Sequence, residues 1–394
     1  MSGERNSSKP QDILLPGWRW VKLGDVCELI MGQSPPGSTY TDKPEGLPFF
    51  QGKADFGEYS PKVRVWCTQP MKVAEEGDIL ISVRAPVGPV NMNNLKCCLG
   101  RGLAAIRCKD SAMHWFIFWY LRSKEIQITS LGSGSTFSAI TRDDLENLEI
   151  PLPPLSEQKR ISTKIQKLMQ EVEHARTACG KQLAAANALR ASYLREIFES
   201  EEAKKWERKR LGEVCEFLDS MRIPVNDGER QKRIAGKKQT ELYPYYGANG
   251  QVGWIDNFIF DEELVLLAED GGFFGSFEKP IAYRVGGKCW VNNHAHVLRT
   301  NREIIDVDWL YFSLGIRPDI MCFVSGTTRP KLNQEQASKI PIPLPSILIQ
   351  QRIAADLKGK MAEVENLEST IQNQQSALNS FPQAILRQAF NGEL

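Results

Sequence analysis

The chain of 394 residues is short of several things, and each shortage removes a class of function. Net charge is nearly absent, with 49 basic residues against 48 acidic ones. That excludes a bulk polycation acting by charge alone and leaves room for local basic patches. The nine cysteines show no Cys-x-x-Cys spacing, and Cys97-Cys98 is the sole adjacent pair. Reduced thiols in a cytoplasmic protein are therefore expected, rather than a disulfide or zinc framework. No apolar run is long enough to span a bilayer, and the polar stretch Met1 to Gln11 lacks the apolar core of a signal peptide, so no membrane association is expected.

Catalytic signatures are missing as well. There is no GxxxxGK[ST] loop to cradle a nucleotide phosphate, no GxGxxG after a strand, no GxSxG and no HExxH. The Asn/Asp-Pro-Pro-aromatic motif with which an adenine methyltransferase holds a flipped base is also absent. His294-x-His296 has no third metal ligand nearby in sequence, and Glu202-Ala203-Lys204 lies in a charged helix end. No catalytic, cofactor-binding or metal-binding residue is assigned, no cofactor is expected, and the chain reads as a binder.

What is there is a duplication built around two long helices. From Ser156 to about Lys205, spacings of four and three mark Ile161, Ile165, Leu168, Val172, Ala175, Cys179, Gln182, Ala186, Leu189 and Tyr193 as a heptad seam. Shifted by 192 positions, the seam returns as Ile353, Leu357, Lys360, Val364, Leu367, Ile371, Gln374, Leu378, Phe381 and Ile385. The entrances agree at seven of twelve positions between Ile150–Ile161 and Ile342–Ile353. At about 1.5 Å per residue the first helix should reach roughly 65–75 Å. Because the first helix hands the chain to the segment that the second one leaves, burying both seams requires an antiparallel pair. The alternative is a helical hairpin inside one domain.

The globular segments repeat too. Trp18-Arg19-Trp20-Val21-Lys22-Leu23-Gly24-Asp25-Val26-Cys27-Glu28 returns as Trp206-Glu207-Arg208-Lys209-Arg210-Leu211-Gly212-Glu213-Val214-Cys215-Glu216. Short strands, long loops and a few helices make each segment α+β. The expected divisions are a first globular domain at 1–150, a central helical spacer at 151–205, a second globular domain at 206–341 and a terminal helical spacer at 342–394. Framework positions agree between the repeats whereas the loops differ: Glu269-Asp270-Gly271-Gly272 stands where the first repeat has Arg84-Ala85-Pro86.

Those loops carry the candidate contacts to a nucleic acid. Arg and Lys pair with guanine edges, and Asn and Gln with adenine, which marks Gln51, Lys53, Arg84 and Arg101 in the first segment and Tyr246, Asn249 and His294 in the second. The small hydroxyl residues Ser135, Thr136, Thr327 and Thr328, with Arg329 and Lys331, suit phosphate contact or close approach to a base edge. The basic run from Arg222 to Lys238, with Arg230, Lys232, Arg233, Lys237 and Lys238, suits the phosphate backbone. A solvated surface charge is the bland alternative for each residue taken singly.

The motif Leu155/Glu157/Gln158/Ile161, the run Gly77-Asp78-Ile79-Leu80-Ile81-Ser82-Val83-Arg84 and the stretch Ala389-Phe390-Asn391-Gly392-Glu393-Leu394 resemble the specificity subunit of type I restriction-modification systems. The resemblance extends over the chain beyond its first dozen residues. It departs at Ile349, which stands where the family has Glu, and at Pro382, which is expected to interrupt the second helix with Ser380 capping a separate short one. The resemblance implies two target-recognition domains reading the halves of a bipartite DNA site. It also implies helices that space the domains and dock two methyltransferase subunits, with a restriction-translocation subunit joining them. S-adenosylmethionine, ATP and magnesium would belong to those partners. The rival from another class is a coiled-coil scaffold without DNA readout.

Overall fold

The computed structural model describes residues 16–109, 114–131, 139–276, 279–315, 317–326 and 330–394. By contact density the chain divides into two units, Met1–Thr177 with Ser376–Leu394, and Ala178–Gln375. Each contains one α+β domain and the adjoining parts of both long helices. Among the described residues no helix is long and apolar enough to cross a membrane.

In the first unit a four-stranded antiparallel sheet runs in the order Cys27–Met31, Leu103–Cys108, Ile79–Ser82, Val90–Met92. Strand Ile79–Ser82 is buried on both faces because alternate side chains enter different cores. Ile79 and Ile81 pack with the helix His114–Ser123 through Phe116 and Phe118, while Leu80 meets Phe50 and Leu99 of a second sheet. Full burial of such side chains contributes roughly 1.5–3 kcal/mol each. In that second sheet Leu47–Phe50 runs parallel to Cys97–Leu99 and delivers the chain to the turn at Gln51.

The second unit repeats the plan. Its sheet orders Cys215–Phe217, Ala295–Thr300, Leu264–Ala268, Ala282–Val285. Val265 and Leu267 face Trp309, whereas Leu264 and Leu266 face Val291 and Val297. An ion-pair framework is duplicated with the backbone. Arg107 grips Asp78 at 2.8 Å and reaches Glu28 at 4.0 Å; Arg299 grips Glu262 at 2.6 Å and Glu216 at 2.9 Å. The helix entrances match as well, since Gln158 and Gln350 each donate Nε2 to the carbonyl of a proline, Pro153 and Pro345, both at 2.9 Å.

The helices Leu155–Phe198 and Ile347–Phe390 are each 44 residues long, about 66 Å at 1.5 Å per residue. They are antiparallel in both units. Ile161, Ile165 and Met169 share a core with Leu386 and Ala389 in the first, and Leu194 packs with Ala354, Leu357 and Met361 in the second. The seam differs from the heptad expectation by one residue at several positions. Met169 is buried rather than Leu168, and Met361 rather than Lys360, while Leu189, Leu367 and Phe381 are 37%, 46% and 46% exposed. Arg190 occupies the inward position beside Leu189 and pairs with Glu365 and Glu368 of the facing helix at 3.7 and 3.2 Å. The one-residue shift is the same in both helices.

The expected interruption at Pro382 does not occur: the helix passes through it. The Ser380 hydroxyl donates to the Ala377 carbonyl at 2.7 Å instead of capping a new helix. Leu386 and Ala389, each 1% exposed in the first unit's core, anchor the last turns beyond the proline, so tertiary packing offsets the lost backbone bond.

Candidate nucleic-acid interface

In the first domain Gln51, Lys53, Arg84 and Arg101 line one cleft of about 230 Å³, floored by Ser34, Ser82 and Gly102. Local sequence explains the convergence. Asp55 accepts from the backbone N–H of Gln51 at 2.7 Å and of Gly52 at 3.3 Å, holding the turn after the strand. Gly102 lets that turn lie against the neighbouring strand, because a Cβ there would collide with the Gln51 carbonyl. Ser34 Oγ accepts from Arg101 N at 3.1 Å, and Ser82 Oγ donates to Arg84 O at 3.1 Å. Gln51, Lys53, Arg84 and Arg101 are all exposed. None of the three cations pairs with a carboxylate among the described residues, whereas nearby Arg64 and Arg107 pair with Asp55 and Asp78. Ser34 and Ser82 are members that sequence reasoning missed; their signal is position, beside Arg101 and Arg84 in space.

The corresponding place in the second domain has different chemistry. A backbone bridge joins Arg84 to Ala139 in the first repeat, and its counterpart joins Asp270 to Lys331. Asp270 thus holds the position of Arg84. Its Oδ1 meets His294 Nδ1 at 2.6 Å. Asn249 Nδ2 donates to the Gly271 carbonyl at 2.9 Å, and Gly271 supplies the positive φ of 66° that the turn needs. Lys331 pairs with Glu269 at 3.1 Å. His294, Asn249 and Lys331 therefore come together around the 269–271 loop. Tyr246 lies on the adjoining strand, its hydroxyl held protonated to higher pH than usual by burial.

Beneath that loop Asp219, Glu269 and His296 lie close enough together for a cation, but the place is taken. Arg222 donates to Glu269 at 2.8 Å and to the Ala295 carbonyl at 2.7 Å, and it lies 3.5 Å from Asp219. His296, 1% exposed, is engaged at both nitrogens, by Asp219 at 2.5 Å and the Leu332 carbonyl at 2.8 Å. The guanidinium supplies the positive charge and the donor set has no open face, so these residues do not fit a metal ion.

The basic run divides on folding. Arg230 is a correction to its phosphate-facing assignment: it is 8% exposed, with its guanidinium 5.2 Å from the centre of the Tyr245 ring and paired with Asp227. Arg233 and Lys237 both pair with Asp256, at 2.7 and 2.9 Å. Lys232 and Lys238 remain exposed. Ser135, Thr136, Thr327, Thr328 and Arg329 lie outside the described residues. All nine cysteines are free thiols. Burial pushes Cys97 and Cys215 up to about 12, and Cys98 and Cys289 up to about 11, so the thiolate nucleophile is suppressed at these four. A larger cleft of about 390 Å³ lies beside Leu194, Phe198, Phe312 and Arg317, with Arg195 and Arg208 balanced in part by Glu199 and Asp319.

A family model described as the type I restriction modification DNA specificity domain matches residues 16–178 and again 203–374, the same duplication that the two domains display. The type I restriction enzyme EcoDI specificity subunit of Escherichia coli is 24% identical over 414 residues, covering 96% of this chain and 88% of that one. A chain named as the type I restriction enzyme MjaX specificity subunit in Methanocaldococcus jannaschii is 45% identical over 175 residues, 43% of this chain and 41% of that one. With the first curated relatives the match thus spans only about two-fifths of their length. Among solved structures, the S subunit from M. genitalium is 18% identical across 97% of this chain and 98% of its own, with a TM-score of 0.44. The HsdS subunit from Thermoanaerobacter tengcongensis is 53% identical across 42% and 40%, with a TM-score of 0.38.

Proposed function

This chain belongs to the type I restriction-modification DNA specificity family, and from that premise we propose that it is the sequence-reading, non-catalytic subunit of a restriction-modification complex. Its two α+β domains, 1–150 and 206–341, read the two halves of a split site on double-stranded DNA. The helical segments 151–205 and 342–394 serve as spacer and as docking surface for methyltransferase subunits, two in number, with a restriction-translocation subunit joining the complex in the cytoplasm.

The observation that carries this reading is the first-domain cleft. Gln51, Lys53, Arg84 and Arg101 converge there, and the three cations have no carboxylate partner among the described residues. Unneutralised guanidinium groups beside an amide suit guanine and adenine edges in the major groove. Lys232 and Lys238, exposed in the second domain, suit phosphates. The exposed Leu189, Leu367 and Phe381 on the long helices support a partner-binding role for those helices.

The test is selection of bound duplexes from a randomised pool by the full chain with its modification subunit. A two-part sequence should be enriched, and Arg84→Ala with Arg101→Ala should erase preference in one half only. Equal retention of all sequences by the wild-type complex would instead support a scaffold without readout.

A further inference from the structure

Around the 269–271 loop of the second domain an acidic side chain and a histidine stand where the first domain's cleft presents cations. The backbone bridge places Asp270 at the position of Arg84. The neighbouring cations are already committed, Lys331 to Glu269 and Arg222 to Glu269 and Asp219. Among the described residues, a guanine edge, which offers O6 and N7 as acceptors in the major groove, finds no comparable donor set there.

His294 is the side chain through which this place reaches solvent, being 40% exposed while Asp270 is 15% exposed. An ionised carboxylate only accepts, so the 2.6 Å contact fixes the hydrogen on Nδ1. In the neutral ring the lone pair is then on Nε2. The backbone that carries it is held as well, since His294 N donates to Asn292 Oδ1 at 2.8 Å. Asn249, in the turn after strand Tyr243–Gly247, donates Nδ2 to the Gly271 carbonyl and offers Oδ1 as a second acceptor beside that loop.

Resting on the proposed sequence-reading function, we infer that His294 is a specificity-determining residue of the second domain, accepting from the exocyclic amino group of a base in the major groove. The group is adenine N6 or cytosine N4. Asp270 is its positioning residue, holding the tautomer that accepts.

The experiment uses the full chain with its modification subunit and the duplex enriched by the wild type. Each adenine is replaced in turn by purine, and each cytosine by pyrimidin-2-one, so that one amino group is deleted at a time. The wild type should lose binding about five- to hundredfold at one position of one half-site, the range for a single base contact. His294→Phe should bind the parent duplex weakly and show no further loss at that position, with full discrimination in the other half-site. Asp270→Asn, which puts a donor where the acceptor stood, should flatten the same position, while His294→Gln, whose Oε1 can accept, should recover part of the loss. The base at which the loss occurs separates adenine from cytosine. If His294→Phe keeps the wild-type loss at every amine-deleted position, this assignment fails and the sequence-reading function stands. If the wild type enriches no split sequence, the sequence-reading function fails and the assignment falls with it.

Discussion

The two domains share a skeleton and differ at one corner. Arg107 with Asp78 and Glu28 in the first answers Arg299 with Glu262 and Glu216 in the second. Yet Arg84 in one is Asp270 in the other at the same bridge position. The first cleft's cations pair with no carboxylate among the described residues, whereas in the second domain Lys331 pairs with Glu269, above a buried network of Arg222, Asp219, Glu269 and His296. The difference teaches that loop chemistry changes freely when framework ion pairs and core strands hold the backbone.

Breaking the comparison at its deepest point has the largest expected effect. Arg222→Met leaves Asp219 and Glu269, 8% and 13% exposed, without their guanidinium. Unfolding of the second domain should lose about 3–5 kcal/mol, measured by urea titration with hydrogen exchange, and the first domain should be unmoved. Next comes the helix seam. Met169→Ala and Met361→Ala occupy equivalent buried positions, 5% and 7% exposed, and should each cost about 2–5 kcal/mol. Leu367→Ala, at a 46% exposed site, should stay within about 0.5 kcal/mol. A cost for Leu367→Ala as large as that for Met361→Ala would restore the simple heptad seam.

Arg84→Ala is a smaller break, expected to weaken DNA binding by about 1–3 kcal/mol and to relax a single position; competition binding against single-substituted duplexes measures both. The exchange variant Asp270→Arg sharpens the contrast, because a guanidinium there should turn the preference of that position toward guanine. The smallest effect concerns pH. Hydrogen bonds from Arg299 hold the Glu262 carboxyl below the usual range. Its contribution is therefore fully present above the ordinary Glu value of about 4.3 and drains away as pH falls below it. Glu262→Gln should flatten the acid limb of second-domain stability in melts taken from about pH 6 to 3.

Much of the framework was legible without coordinates. The strand at Ile79, the helix from His114 and the match of Trp18–Glu28 with Trp206–Glu216 are local or repeated patterns, and a repeat carries its own check. Arg84, Arg101, Lys53 and Gln51 were legible as candidates but not as one cleft, because their meeting depends on Gly102 and Asp55 holding a turn against a strand. Asp270 is not among the sequence candidates; its equivalence to Arg84 and its contact with His294 bring it forward.

By itself the sequence determined the duplication, the two long helices and their antiparallel sense, since those follow from period, repeat and chain connectivity. Tertiary structure alone decided which way side chains of mixed character turn. Arg190 enters the helix seam because Glu365 and Glu368 meet it there, and Arg230 turns inward because the Tyr245 ring receives it. The second helix runs through Pro382 because Leu386 and Ala389 are anchored in a core. A long cationic side chain can lay its apolar stem inward only where its charged head keeps water or meets a partner, and a partner distant in sequence is invisible to any local pattern.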